Sequence, residues 1–428
     1  METITAVKGF KDILPGETEK WQFIENMARE IFSSFGVREL KVPILEKTAL
    51  FVRGIGEATD IVEKEMYSFA DRGDEHLSLR PEATASVIRA YIEHALYSSE
   101  PVSKLYTIGP MFRRERPQKG RFRQFHQINV EALGLDDPSI DAELILMLFH
   151  LLTSLDLSGL KLEINSLGCP ECRPAFREKL TAYFAQKLAG REDELCPDCV
   201  RRLQTNPLRI FDCKVESCRQ ALLDAPALID SICPECASHF EAVQEYLAIF
   251  DVPFEINKRM VRGLDYYTRT AFEVTTTGLG AQNAVAGGGR YNGLVKELGG
   301  PDIPGIGFAI GLERLASLVP VSGEELTPGP DLFIAPLGKV ARVWSFALCN
   351  YLRMLGIRTE MGYGEKSLKS QMKRADKLKS RTALILGENE IQQGTAELRD
   401  MSSGVQEKVS LENFDQLAEI ITNKTKAG

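Results

Sequence analysis

Guanidinium groups dominate the stretch Gly109 to Gly134, GPMFRRERPQKGRFRQFHQINVEALG, where within Arg113 to Arg123 the residues Arg113, Arg114, Arg116, Lys119, Arg121 and Arg123 stand against one acid, Glu115. Arginine's planar fork grips phosphate oxygens in pairs without losing its charge, so several on a hairpin suit a nucleotide or an RNA backbone. Pro117 and Gly120 punctuate the tip. On the returning strand Gln127 and Glu131 are four residues apart and therefore share a face. The pattern predicts a surface with phosphate binders beside a polar pocket, although a solvated charged hairpin would have the same composition.

Three further constellations follow. RMVRGLDYYTRTAFEV, Arg259 to Val274, groups Arg262, Asp265, Tyr266 and Tyr267 around Gly263. Paired tyrosines give an apolar wall with a hydroxyl handle, fit for a small aromatic or heteroaromatic substrate, or else simply a core at a strand start. AVAGGGRYNGLV, Ala284 to Val295, carries three glycines that allow a sharp bend or a close approach of backbone to ligand, a plain turn being the simpler reading. GIGFAIGLERL, Gly305 to Leu315, spaces its glycines G-x-G-x-x-x-G and so fails the dinucleotide fingerprint. It reads as a strand passing into a helix, with Glu313 and Arg314 near the helix start.

Eight of the nine cysteines lie between Cys169 and Cys236: Cys169 with Cys172, Cys196 with Cys199, Cys213 with Cys218, and Cys233 with Cys236. C-x-x-C pairs in an intracellular chain commonly present thiolates to zinc, and eight ligands suffice for two tetrahedral structural sites. The alternative is free thiols packed as small apolar residues, disulfides being disfavoured in a reducing compartment. Cys349 stands apart from either scheme.

The elements that must position these groups divide the chain. Its 428 residues suggest about two to four domains. With 44% hydrophobic and 26% charged residues the composition is that of a soluble globular protein. No export signal is read at the amino terminus, and the longest apolar run, Leu144 to Leu152, is too short to cross a bilayer. A net charge of −8 excludes coating nucleic acid through overall basicity, leaving local basic surfaces such as Glu365 to Arg381, with seven Lys or Arg against Glu365 and Asp376.

Apolar spacing predicts a helix over Thr18 to Phe35 capped by Thr18, then a strand over Val37 to Ile44. Further β-rich runs are Leu77 to Leu79, Lys104 to Phe112, Arg123 to Leu133, Ala271 to Thr276 and Ala281 to Ala286. With few helix-length crossovers between them, a mainly antiparallel sheet is expected. Gly159 to Pro253 reads as a helical insertion, Val319 to Pro330 as a linker. Beyond it, strands at Leu332 to Pro336, Thr359 to Tyr363 and Ala383 to Leu386 alternate with helices at Arg342 to Leu355 and Ser367 to Lys379, a small α/β unit. Two more short strands around Ser402 to Gly404 and a final helix complete it.

Taken in order, these motifs resemble the class II aminoacyl-tRNA synthetases: a Pro-bearing first motif around Val42 to Phe51, a second in Gly109 to Gly134 and a third in Gly305 to Leu315. VRGLDYY and AVAGGGRY resemble the two signatures of histidyl-tRNA synthetases, and RPEATASVIRAY, Arg80 to Tyr91, resembles that family's amino-acid loop. The resemblance implies an α+β catalytic domain with a mainly antiparallel sheet (1–158 and 254–320), a Cys-rich helical insertion (159–253), a linker (321–330) and an α/β anticodon-binding domain (331–428). It implies L-histidine, ATP with Mg²⁺ and tRNA(His) as substrates, a cytoplasmic homodimer and no membrane.

By the same resemblance Glu82, Ala83, Thr84 and Gln127 hold the histidine backbone end, while Glu131 and Tyr266 read the imidazole nitrogens and Tyr267 helps to wall the pocket. Arg113 and Arg262 serve the α-phosphate, and Glu115, Arg121 and Arg314 join Arg113 around ATP. The loop Glu115 to Arg121 approaches the acceptor end. None of the five histidines receives a catalytic role, and His126 is expected to be packed or hydrogen-bonded. Asn292 departs from the Asp of many relatives at a place away from substrate. A regulatory relative, such as the regulatory subunit of ATP phosphoribosyltransferase, would share the fold but erode the motif arginines and lack the last domain. A zinc-dependent RNA-binding protein would leave the site motifs unexplained.

Overall fold

The computed structural model describes residues 3–57, 59–117, 120–187, 195–205, 207–276, 278 and 284–426. They form two compact units, 1–321 and 322–428.

In the first, α1 (Thr18–Ser34) turns Trp21, Ile24, Ala28, Ile31 and Phe32 inward at helical spacing. Then come β1 (Arg38–Glu39), β2 (Leu45–Lys47), α2 (Thr48–Ile55), β3 (Tyr67–Ala70), β4 (His76–Leu79) and α3 (Thr84–Glu93). The long hairpin β5 (Ser103–Phe112) and β6 (Gln124–Leu133) leads to α4 (Pro138–Ser154) and β7 (Leu160–Ser166). Four helices follow: α5 (Arg173–Lys187), α6 (Pro197–Thr205), α7 (Glu216–Ala221) and α8 (Pro234–Ile249). The unit closes with β8 (Phe254–Ile256), β9 (Thr268–Thr276), β10 (Ala284–Arg290), α9 (Leu294–Glu297), β11 (Gly305–Gly311) and α10 (Leu312–Leu318).

Eight strands make one sheet in the order β1-β5-β6-β11-β10-β9-β7-β8, antiparallel except for the parallel pairs at its two edges, β1 with β5 and β7 with β8. The expected mainly antiparallel sheet is therefore present. One face is covered by α1, α4, α8 and α10. Period-two alternation sends Ile128, Val130 and Ala132 of β6 and Ile306, Phe308 and Ile310 of β11 into that core. Gln127, Asn129 and Glu131 take the other face. Arg290, at the end of β10, is fully buried on Asp141 of α4 (Nε to Oδ1 3.0 Å), and His239 Nε2 of α8 lies 2.8 Å from Asp141 Oδ2. Burial would raise the Asp141 carboxyl, but the His239 hydrogen bond and the Arg290 charge hold it below the ordinary carboxylate range.

Several boundaries differ from the sequence reading. Thr18 is the first helical residue rather than the cap, and its hydroxyl bonds the Glu19 carboxylate at 3.1 Å. The strand expected over Val37 to Ile44 shrinks to β1, because the Val42 and Pro43 carbonyls accept from the Arg80 guanidinium instead of a neighbouring strand. Within Gly159 to Pro253, β7 joins the main sheet and α8 lays Phe240, Val243 and Leu247 into the main core, so the stretch read as an insertion meets that core at both ends. Ala281 to Asn283 lie outside the described residues. The three glycines are strand rather than turn: β10 runs straight through Gly287, Gly288 and Gly289.

The second unit begins with α11 (Gly323–Leu326), closed by a capping box between Ser322 and Glu325, where the sequence suggested a bare linker. The alternating elements follow as β12 (Leu332–Pro336), α12 (Lys339–Met354), β13 (Thr359–Met361), α13 (Leu368–Lys377), β14 (Thr382–Leu386), α14 (Glu388–Gln393), β15 (Thr395–Asp400), β16 (Gln406–Ser410) and α15 (Phe414–Lys426). The sheet order is β13-β12-β14-β15-β16, parallel across the first three strands and antiparallel in the closing hairpin.

Candidate active site

The polar face of β6 is the floor of the site. Glu131 is 1% exposed, and its two oxygens accept from the Tyr291 hydroxyl at 2.6 Å and the Thr84 hydroxyl at 2.7 Å. Burial pushes its carboxyl up to about 8, against the pull of those two bonds. Opposite it in register on β11 is Gly307, where a Cβ would overlap Glu131 Oε2. Glu82 accepts the backbone N–H groups of Thr84 (2.7 Å) and Ala85 (2.9 Å), which fixes a carboxylate at the amino end of α3. Burial raises that carboxyl too, opposed by the same amides and by the Arg113 charge. Tyr266 and Tyr267 stack obliquely, ring centres 4.7 Å apart, and Tyr266 meets Tyr291 edge-on at 5.7 Å.

Cations enter from three distant stretches. Arg113 follows β5, its Nε on the Pro81 carbonyl at 2.9 Å and its guanidinium over the Phe125 ring at 5.2 Å. Arg262 donates to Glu273 Oε2 at 2.7 Å and lies so close on β10 that a Cβ at Gly287 would come within 2.5 Å of Nη2. Arg314, in the first turn of α10, holds the Ala284 carbonyl at 2.9 Å. Arg121 pairs with Glu115 at 2.7 Å.

All of these, with Glu82, Thr84, Gln127, Glu131, Tyr266 and Tyr267, line one cavity of about 390 Å³. Ala83 is the expected residue left out: it is wholly buried at the start of α3 and is not in the lining. Arg114 and Arg116 are not in the lining either, and Lys119 lies outside the described residues. Gln127 Oε1, Asn129 Oδ1 and Arg262 Nε are buried without a hydrogen-bond partner among the described residues, three polar atoms facing this space. His126 is occupied structurally: its N–H and Nδ1 meet the Glu313 carboxylate at 2.9 and 3.0 Å. Asn292 is away from the lining and donates to Asp136 at 2.7 Å.

Asn129, Glu273 and Tyr291 belong to the lining but escape the sequence reading. Asn129 was within reach, since it sits between Gln127 and Glu131 at the period of a strand face. Nothing local distinguishes Tyr291 or Glu273 from core and surface residues.

The eight cysteines gather in two groups of four, Cys169, Cys172, Cys233 and Cys236, and Cys196, Cys199, Cys213 and Cys218, with all Sγ atoms of each group within 4.8 Å of one another. In the second unit, α13 buries Gln371 and Ala375 and leaves Lys369, Lys373, Arg374 and Lys377 exposed. The Arg374 guanidinium stands 6.0 Å from the ring of exposed Tyr363.

The family model described as Histidyl-tRNA synthetase matches residues 9–315, and an Anticodon binding domain model matches residues 331–419. The chain belongs to the histidyl-tRNA synthetase family. It is an aminoacyl-tRNA synthetase, a ligase of protein biosynthesis. It is 54% identical over 416 residues to a histidine–tRNA ligase of Syntrophotalea carbinolica, covering 97% of this chain and 98% of that one. Identity to the Geobacter metallireducens histidine–tRNA ligase is 55% over 409 residues, covering 96% and 98%. The crystal structure of apo S. aureus histidyl-tRNA synthetase superposes with a TM-score of 0.81 at 36% identity, covering 98% of this chain and 100% of the other. A Bacillus halodurans chain described as an ATP phosphoribosyltransferase regulatory subunit/histidyl-tRNA synthetase shares the fold at 19% identity and a TM-score of 0.61, covering 90% of this chain and 99% of that one.

Proposed function

We propose that this synthetase activates L-histidine with ATP in the cavity on β6 and passes it to the 3′ end of tRNA(His). One observation carries the reading: Arg113, Arg262 and Arg314 line the same small cavity as the buried Glu131 and Tyr266. Glu82, Thr84 and Gln127 bind the α-ammonium of histidine. Glu131 and the Tyr266 hydroxyl take the two imidazole nitrogens, and Tyr267 closes the wall.

The histidine carboxylate then attacks the α-phosphorus of ATP. A bond to phosphorus forms, the bond to the β-phosphate oxygen breaks, and pyrophosphate leaves. Negative charge accumulates on the α-phosphate oxygens, where Arg113 and Arg262 stabilise it from fixed positions. Arg121, paired with Glu115, and Arg314 hold the remaining phosphates, which carry Mg²⁺. In the second step a ribose hydroxyl at the tRNA 3′ end attacks the carbonyl and AMP leaves. No side chain forms a covalent bond at either stage.

The loop 115–121 meets the acceptor end and the exposed cations of α13, beside Tyr363, meet the anticodon. A homodimer in the cytoplasm and structural zinc on the two cysteine groups complete the proposal. Among the described residues no helix is long and apolar enough to cross a membrane.

Histidine-dependent exchange of pyrophosphate into ATP tests the reading, with activity expected for histidine and for no other amino acid. Arg262→Ala should lower the rate far more than it weakens histidine binding, because its charge matters most as the transition state forms. An unchanged rate would remove Arg262 from the chemistry.

A further inference from the structure

The cysteine groups are built as metal sites. Four thiolates held tetrahedrally about 2.3 Å from a zinc ion lie about 3.8 Å from one another. The measured Sγ separations are 3.4 Å for Cys169–Cys172, 3.8 Å for Cys169–Cys233, 3.9 Å for Cys172–Cys236 and 3.8 Å for Cys196–Cys213. These are far from a bonded disulfide at about 2.05 Å. The first group joins two points of chain 64 residues apart, where the polypeptide leaves β7 and where it re-enters at α8. The second group ties the start of α6 to the turn after Pro207–Asp212 and to α7.

Both groups sit next to an arginine that holds the loop Val261–Tyr267. Arg173, directly after Cys172, donates to the Tyr267 carbonyl. Two residues further on, Arg269 exchanges backbone hydrogen bonds with the turn before Cys169: Leu167 N–H to Arg269 O at 2.6 Å and Arg269 N–H to Gly168 O at 2.8 Å. Arg269 itself has φ +47°, a left-handed conformation costly for a side chain with a Cβ, so this bridge maintains a strained strand entry. In the middle of the loop Arg209, four residues before Cys213, donates to the Gly263 carbonyl at 2.7 Å and to Asp265 at 3.1 Å. Between these pins is a cavity of about 480 Å³ lined by Arg173, Arg209, Leu264 and Tyr267. Tyr266 and Tyr267 pack into the core at the loop's far end, with Leu264 against them, while its polar backbone is held by these two arginines, Arg209 in the middle and Arg173 at the end.

We propose that the two four-thiolate clusters each bind a zinc ion and together act as posts that hold the Val261–Tyr267 loop, through Arg173 and Arg209 as positioning residues, in the geometry that accepts histidine. This rests on the zinc and histidine readings above and adds a task for the metal: without it Tyr266 and Tyr267 lose their fixed place.

The test uses the full chain. Metal analysis of the purified protein should give two zinc ions per chain, one in Cys169→Ser/Cys236→Ser and one in Cys199→Ser/Cys218→Ser. Arg173→Met and Arg209→Met keep both ions, so they test the pins even where a cysteine variant does not fold. Each should raise the histidine Kd by calorimetry roughly tenfold, the scale of one charged hydrogen bond, with most of the loss recovered in Arg173→Lys. A metal-free wild-type chain whose eight thiols all react with a thiol reagent overturns the sites. Two zinc ions with wild-type histidine affinity in both arginine variants overturns the positioning role and leaves the sites standing. Failure of histidine-dependent pyrophosphate exchange in the wild type would strike the functional reading and leave the metal sites standing.

Discussion

Replacing Gly307 by alanine adds one methyl group at the place where the site has no room for it. Gly307 of β11 faces Glu131 of β6 across the ladder, and its Cβ would overlap Glu131 Oε2, approach the carboxyl carbon to 2.7 Å and the Val130 carbonyl oxygen to 2.6 Å. The Val130 carbonyl is part of a strand buried on both sides, so the side chain of Glu131 must swing away. It then leaves the Tyr291 and Thr84 hydroxyls, bonded at 2.6 and 2.7 Å, each worth about 1 kcal/mol net, and abandons the imidazole contact proposed for it. Those two internal bonds count against folding, while the lost contact to a charged group, about 1.5–3 kcal/mol, corresponds to histidine binding weakened roughly 10- to 150-fold. Calorimetry with histidine alone reads this directly, and the ATP KM in pyrophosphate exchange should stay near wild type. Gly311→Ala is the control, since its Cβ would meet only Arg314 Cδ and Cγ at an ordinary 3.8 and 4.0 Å and histidine affinity should hold. A folded Gly307→Ala chain that binds histidine as tightly as wild type would refute the placement of imidazole against Glu131.

Glu131 also gives the chain a pH signature. Because burial raises its carboxyl from 4.5 to about 8, the folded chain keeps a proton that the unfolded chain releases; the stabilisation is whole below about 4.5 and vanishes as pH rises through about 8. Urea unfolding from pH 5 to 8 should show wild type losing up to about 1.4 kcal/mol per pH unit relative to Glu131→Gln, and a constant difference would contradict the buried proton. Arg290→Met strands the buried Asp141 carboxylate and should cost about 3–5 kcal/mol by the same assay, whereas a loss under 1 kcal/mol would mean water reaches that pair. Lys373→Glu with Arg374→Glu should raise the KM for tRNA roughly tenfold and flatten its salt dependence while leaving pyrophosphate exchange untouched. An effect on exchange would reassign α13.

The polar strand was legible because period two is a strong signal: once Gln127 and Glu131 are read as one face, β6 has a floor and a core side. The arginine hairpin and the alternating second unit were legible for similar reasons. Thr18 failed as a cap because the helix takes one more turn-forming residue, Glu17, and threonine then bonds sideways to Glu19. The run Gly287–Gly289 could not be assigned locally, since glycines have no side chains to alternate. Its reasons lie in neighbours far along the chain: Arg262 on Gly287, and on Gly288 the Gly307 carbonyl, which a Cβ would overlap. The C-x-x-C pairs announced thiolate clusters, but not that the first pair joins the last while the middle four close on themselves.

The same absence of side chains explains the cavity. A sheet that gives one face to the core must leave volume on the other if a ligand is to reach charged groups on its strands, and β10 and β11 do so by omitting Cβ atoms at Gly287, Gly307 and Gly311. Strands thinned in this way lose packing energy on the site face. Rigidity must then come from behind, and there the sequence places the fully buried ion pair of Arg290 with Asp141, joined by His239, which ties β10 to α4 and α8. Substitutions in that group should therefore loosen the histidine pocket as well as the fold, and Arg290→Met measured at a temperature where it remains folded should show weakened histidine binding although no atom of Arg290 lines the cavity.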